Sequence, residues 1–161
     1  MIEEKDKGEW ERRYRQSYPS VYRALVATLL DADLASDSLQ DAFLAGLRRP
    51  PSYDGNVAGW LYRVAVRKAG RARRRWRWLR FEAAARTTPE ASQIDALLER
   101  LSVGQLLGML TPRQRSIVVA YFYLDQTQEQ IAELFGIRRG TVAATISQAL
   151  ARMRKGEGHV Q

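Results

Sequence analysis

The sequence predicts an all-α protein made of two small helical domains joined by a short linker. Three observations predict it. Apolar residues recur at three- and four-residue spacing along most of the chain, and no stretch alternates as a strand would. Between the two periodic halves, FEAAARTTPEASQ changes composition to small residues and a Thr-Thr-Pro turn, which marks residues 81–93 as a linker. The length of 161 residues with 45% hydrophobic content suits one or two small cores. The division is therefore a first domain over 1–80, the linker, and a second domain over 94–161.

Charge and rare residues narrow the function classes. A net charge of +8 and a pI near 10.2 suit a protein that seeks polyanions. Without cysteine there are no disulfides, thiolate zinc sites or thiol switches, as expected of a reducing cytosol. The single histidine, His159, argues against a histidine metal site. The charged opening MIEEKDKGEW lacks the apolar stretch of a signal peptide, and no apolar run approaches membrane-spanning length. The expectation is a cytoplasmic protein with no membrane insertion.

In the first domain, Glu9 to Tyr18 read as a short helix anchored by Trp10 and Tyr14. A second helix follows Pro19, with Val21, Leu25, Val26, Leu29 and Leu30 at helical spacing. Asp31-Ala32-Asp33 reads as a break. The next helix, to about Leu47, places Leu39, Phe43, Leu44 and Leu47 inside and Asp37, Gln40 and Asp41 outside. Two prolines and two glycines make Arg48 to Gly59 a loop. Trp60 then opens a long helix with Leu61, Val64, Ala65 and Lys68 along one face and Arg63, Arg67, Arg71 and Arg74 along another. No acidic residue occurs from Arg63 to Arg80, and Trp76 and Trp78 interleave with the arginines. Such a run reads either as a solvated face or as a polyanion-binding stripe.

In the second domain, Ile94, Leu97, Leu98 and Leu101 restart the helical period, and Leu106, Leu107 and Leu110 continue it. Thr111-Pro112-Arg113-Gln114 is a capping box with proline at the first helical position. Ile117, Val118, Tyr121 and Phe122 supply that helix's apolar face. Thr127 to Gln130 form a second capping box, before Ile131, Leu134 and Phe135. Gly136 ends this helix, where a left-handed residue is needed. The last helix carries Val142, Ile146, Leu150 and Met153 on one side. Its other side carries Arg139, Thr141, Thr145, Gln148 and Arg152, and no acid occurs from Gly136 to Lys155. Two helices joined by a glycine turn, the second polar outward, describe a helix-turn-helix whose second helix fits a DNA major groove. A three-helix bundle without a nucleic-acid role is the alternative.

Catalytic patterns are missing. There is no phosphate-binding GxxxxGK[ST], no HExxH and no Cys/His pair. Asp37 and Asp41 lie four apart, but nothing polar converges with them, so a solvated or protein-contact face is the simpler reading than a metal clamp. The expectation is a protein that is not an enzyme, with no cofactor and no metal.

At three places the sequence resembles bacterial RNA polymerase sigma factors of the extracytoplasmic-function type. Asp37-Ser38-Leu39-Gln40-Asp41-Ala42-Phe43 is similar to the family's D-L-x-Q-[ED]-x-F helix in region 2. Trp60-Leu61-Tyr62-Arg63-Val64-Ala65 with its arginine tail is similar to the W-L-x-R-[IV]-A promoter helix. Leu110 to Arg115, Gln130 to Ile137 and Gly140-Thr141-Val142 resemble region 4. The likeness runs from about Tyr18 to Lys155, with no room for a middle domain. It implies that Asp37, Gln40 and Asp41 dock on the clamp coiled coil of core RNA polymerase. It also implies that Tyr53, Asp54, Asn56 and Trp60 help capture a flipped −10 base. Arg63, Arg67, Lys68 and Arg71 would hold and read that element. Arg138, Arg139, Thr141, Thr145, Gln148 and Arg152 would face the −35 element, with region 4 resting on the polymerase flap. Promoter DNA and an anti-sigma factor are the further partners implied.

The chain departs from the family where it would read DNA. The family's S-R-L-x-R-A is here Ala144-Thr145-Ile146-Ser147-Gln148-Ala149, so both arginines are replaced. Arg138 stands at the usual serine cap, and Arg67 where asparagine is common. The expectation is an altered −35 sequence or weaker dependence on it. Two other readings compete: a stand-alone helix-turn-helix regulator, which needs a dimer interface that no spare apolar helix supplies, and an RNA-binding or nucleoid protein using the arginine tail.

Overall fold

In the computed structural model, which describes residues 4–51, 55–80 and 102–157, one helix runs straight through Pro19. This helix, α1, spans Glu4–Leu29, where the sequence predicts two helices. Proline removes one backbone donor and crowds the carbonyl four residues earlier. That carbonyl belongs to Arg15, and Arg15 and Pro19 are both exposed, so water can take the place of the missing donor. Trp10 on one side of Pro19 and Val21, Ala24 and Leu25 on the other are buried in the same core. Tertiary packing therefore holds the rod together across the proline.

The expected break after α1 is present. Leu30 adopts a left-handed φ of 55°, and Asp31 caps the next helix by accepting the Leu34 N–H at 2.9 Å. Helix α2 spans Ala32–Arg48, and its buried face is Ala35, Ser38, Leu39, Ala42 and Gly46. Leu44, expected inside, is 43% exposed, because the face that meets the core runs through Ala35, Ser38, Leu39, Ala42 and Gly46, and Leu44 falls outside it. Gly46 is where Trp10 crosses α2, and a Cβ there would overlap the indole ring. Trp10 also donates Nε1–H to the Phe43 carbonyl at 3.1 Å and meets Trp60 edge-on, with ring centroids 5.5 Å apart.

Helix α3 spans Val57–Arg80 and begins three residues before Trp60. The sequence reading missed its cap, Asn56, whose Oδ1 accepts the Gly59 N–H at 3.1 Å. Leu61, Tyr62, Ala65 and Ala69 are fully buried against α1 and α2, while Val64 and Lys68 lie at the border of that face. Side chains from Arg75 to Arg80, Trp76 and Trp78 among them, lie outside the described set. So do residues 81–101, which hold the expected linker and Ile94 to Leu101.

The second half contains α4 (Ser102–Gly108), α5 (Pro112–Phe122), α6 (Gln128–Phe135) and α7 (Arg139–Glu157). Both capping boxes form as their sequences predict, at Thr111/Gln114 and Thr127/Gln130. Gly136 takes the left-handed turn at φ 63°, and the Ile137 N–H closes back on the Ala132 carbonyl at 3.0 Å. Residues 115–120 of α5 are all buried, because α5 packs against α1, α6 and α7 together. Its end projects beyond them: Phe122, expected on the apolar face, is 55% exposed.

The two halves share a polar seam. Arg115, 7% exposed, donates from Nε to the Leu107 carbonyl (2.9 Å) and from Nη2 to the Leu110 carbonyl (3.0 Å). From Nη1 it reaches across to the Thr28 carbonyl at 2.9 Å. Arg73 donates to the neighbouring Leu29 carbonyl. Helix α1 has no basic residue in its own last turn, so two arginines from elsewhere cover its carbonyl end. Beside them, Tyr62 Oη donates to the Ser116 carbonyl at 2.9 Å and lies 2.7 Å from Thr28 Oγ1.

Candidate nucleic-acid interface

The arginine stripe of α3 exists because Leu61, Tyr62, Ala65 and Ala69 commit the opposite side of the helix to the core. Arg67, Arg71 and Arg74 are exposed, and Arg63 is half-buried beside them. Burial, and then the neighbouring Arg67, lower the Arg63 guanidinium below its ordinary pKa. No carboxylate answers these cations: α3 contains none, and no described ion pair involves the stripe. Arg63 Nε is buried without a hydrogen-bond partner. Crowded guanidinium groups on a rigid helix, without a described carboxylate partner, have the chemistry that phosphate contacts call for.

The residues at the start of α3 are differently engaged. Trp60 is half-buried with its ring against Trp10, which makes it an anchor of α3 as well as a candidate base contact. Asn56 caps the helix with Oδ1 and donates Nδ2–H to Gln126 Oε1 at 2.6 Å. Tyr53 and Asp54 lie outside the described residues.

The outward face of α7 is sparser. Arg138, Arg139, Thr141, Gln148 and Arg152 are exposed together, as the sequence predicts. Thr145 is not among them. It is 9% exposed, and its hydroxyl donates to the Thr141 carbonyl at 2.7 Å, so it is turned back onto its own helix. Arg139 is paired with Glu129 of α6 at 3.0 Å. On α2, Asp37, Gln40 and Asp41 form an exposed acidic and amide edge, extended by the exposed Leu44 one turn on.

Sequence reasoning missed four residues that organise these faces: Gly46, Tyr62, Arg115 and Gln126. Tyr62 carried a signal, being the aromatic inside the Trp60 motif. Arg115 did not, since nothing in TPRQRSIV distinguishes a buried arginine from the exposed Arg113 two residues before it. Among the described residues no group of carboxylates and histidines could hold a metal ion, and no helix is long and apolar enough to cross a membrane.

Comparison with known proteins matches both halves to one family. The sigma-70 region 2 family covers residues 13–79, and the sigma-70 region 4 family covers residues 100–153. The chain is 26% identical over 157 residues to the ECF RNA polymerase sigma factor SigM of Mycobacterium tuberculosis, spanning 96% of this chain and 80% of the relative. It is 29% identical over 133 residues to SigL of the same species, spanning 77% and 75%. Two solved structures share its fold. One is the sigma factor RpoE from Bartonella quintana, solved with the anti-sigma factor NepR (TM-score 0.73, 17% identity, 95% of this chain and 99% of that one). The other is CnrH, solved with the cytosolic domain of CnrY (TM-score 0.70, 19% identity, 94% and 89%). With region 2 and region 4 both matched in this order, the stand-alone regulator and the nucleoid protein lose their footing. The chain belongs to the sigma-70 family, in its extracytoplasmic-function branch, and is a promoter-specificity factor for RNA polymerase.

Proposed function

We propose that the faces described above divide the work of initiation between the two domains, residues 1–80 and 94–161. The observation that carries the proposal is the α3 stripe: three exposed arginines and the half-buried Arg63 on one rigid helix with no acid among them. Arg63, Arg67, Lys68 and Arg71 hold the DNA backbone at the −10 element. Asn56 and Trp60, with Tyr53 and Asp54, stand where an extruded base would enter. Unpairing a base costs a few kcal/mol, and phosphate contacts along a cationic helix offset it. Arg138, Arg139, Thr141, Gln148 and Arg152 face the −35 major groove. Gln148 suits adenine, in place of the family's arginine. Thr145 contributes through helix geometry rather than a base contact.

Asp37, Gln40 and Asp41 form the edge that docks on the polymerase clamp, and region 4 rests on the flap. The protein works in the cytoplasm and contributes recognition rather than catalysis. An anti-sigma partner is part of the proposal, supported by the structural relative RpoE, solved with the anti-sigma factor NepR. The test is Asp41→Arg. Reversing the charge at an exposed position leaves the fold intact, measured by circular dichroism, and should abolish co-purification with core polymerase. Retained binding would remove the α2 edge from the docking surface.

A further inference from the structure

We infer that α7 selects adenine and thymine, through the amide of Gln148 and the methyl group of Ala144, and has no means of selecting guanine. The inference rests on α7 being the helix that enters the −35 major groove. It goes further by assigning the bases that this face accepts.

Thr141, Ala144 and Gln148 are exposed at three- and four-residue spacing, so they line one side of α7. They fall in its N-terminal half, the part that a helix-turn-helix presents to base edges. Guanine shows two acceptors in the major groove, N7 and O6, and a fork of donors from arginine or lysine is what selects it. From Thr141 to Gln148 the chain contains neither. The cation on α7 before that stretch, Arg139, is held by Glu129 at 3.0 Å. The next one, Arg152, lies a full turn beyond Gln148, in the half of the helix whose contacts go to the DNA backbone.

Adenine shows acceptor N7 beside donor N6, and a glutamine amide answers with one donor and one acceptor. Gln148 is exposed, and none of the described hydrogen bonds engages its amide. Ala144, one turn earlier, offers a methyl group and nothing polar, which suits the one base edge that carries a methyl group of its own, thymine. The two residues stand about 6 Å apart along the helix, a span of one to two base steps. Thr145 lies between them in sequence but is 9% exposed, and its hydroxyl donates to the Thr141 carbonyl at 2.7 Å. It is withdrawn from the groove. Thr141 and Ser147 are exposed, but a hydroxyl donates or accepts and so does not select.

The test is transcription by the full chain with core polymerase, on promoters that share one −10 sequence and carry a randomised −35 region. The unsubstituted chain should select A·T pairs at two positions within one or two steps of each other, and guanine on neither strand. At the Gln148 position adenine should exceed guanine about tenfold. Gln148→Arg, at an exposed site, should move that position alone from adenine to guanine. Deoxyuridine in place of thymine removes only the methyl group. At the Ala144 position this exchange should weaken promoter binding about fourfold in the unsubstituted chain and leave Ala144→Gly unaffected. Thr145→Val, which deletes the inward hydroxyl, should keep both preferences.

Guanine selected by the unsubstituted chain, or adenine still preferred by Gln148→Arg, overturns the inference and leaves α7 as the −35 helix. An equal response of both chains to deoxyuridine overturns the Ala144 contact, and an altered preference in Thr145→Val overturns the withdrawal of Thr145. A −35 region with no selected position overturns the inference as well. If Arg139→Ala with Arg152→Ala then lowers transcription, α7 still binds there. If it does not, the −35 reading falls too.

Discussion

Helices α3 and α7 both present a basic face beside a buried one, but they are held and charged differently. Helix α3 is rooted by large anchors: Tyr62 and Leu61 fully buried, and Trp60 locked against Trp10. Its cations have no described ion pair, and burial, with the neighbouring Arg67 second, lowers the Arg63 guanidinium. Helix α7 is rooted by aliphatic residues without an aromatic among them, Val142, Ile146 and Ala149, and positioned by the glycine turn before it. Its leading cation, Arg139, is already paired with Glu129. The difference lies in what each face offers: α3 presents a rigid row of cations with no described ion pair, and α7 a sparser face whose leading cation is already engaged.

The largest effect that tests this contrast is on the anchoring. Gly46→Ala puts a methyl group into the Trp10 ring, which also carries Trp60 and so the start of α3. Overpacking of this kind costs about 1–3 kcal/mol or more. Thermal unfolding should show a fall in melting temperature, with loss of near-ultraviolet tryptophan signal in region 2. An unchanged melting temperature would mean that Trp10 has somewhere else to go and is not the root described here. The corresponding anchor for the α7 side is a cap. Thr127→Ala removes the acceptor of the Gln130 N–H and should cost about 1 kcal/mol.

Next in size is the charge contrast, read as salt dependence. Each lost phosphate contact lowers the slope of log K against log salt by about one. Arg67→Ala with Arg71→Ala, measured on promoter binding by the polymerase complex, should reduce the slope by about two. Arg139→Ala with Arg152→Ala should reduce it by nearer one, because Glu129 already screens Arg139. Equal reductions would erase the distinction between the two helices.

How far the sequence reveals this arrangement depends on whether a feature is local. Capping boxes, the Gly136 turn and the exposure of Asp37, Gln40 and Asp41 are decided within a few residues, and all are legible. Pro19 misleads, because the packing that overrides it lies in α2 and α3 rather than next to it. Leu44 and Phe122 mislead for a related reason. Periodicity says which residues could be buried, but neighbours choose among them, and in α2 they choose Ala42 and Gly46. Thr145 falls on the polar stripe by spacing, yet its hydroxyl is satisfied within α7. The seam is the least legible part, since Arg115 and Thr28 are 87 residues apart and neither carries a local mark.

The smallest predicted effect concerns the Glu129–Arg139 pair itself. Exposed ion pairs contribute about 0–1 kcal/mol, so the pair hardly affects folding. Its consequence lies in binding. Glu129 sits in the first turn of α6, where its charge favours the helix N-terminus but opposes any phosphate brought to α7. Glu129→Gln keeps the length of the side chain, removes that repulsion and frees Arg139. Binding to −35 DNA at low salt should tighten by up to about fivefold, the upper range of an exposed pair. In an Arg139→Ala background the gain should shrink to the repulsion alone, which a double-mutant cycle measures. Weaker binding after Glu129→Gln would show the opposite: the carboxylate aims the guanidinium, and the pair then serves selectivity instead of restraining affinity.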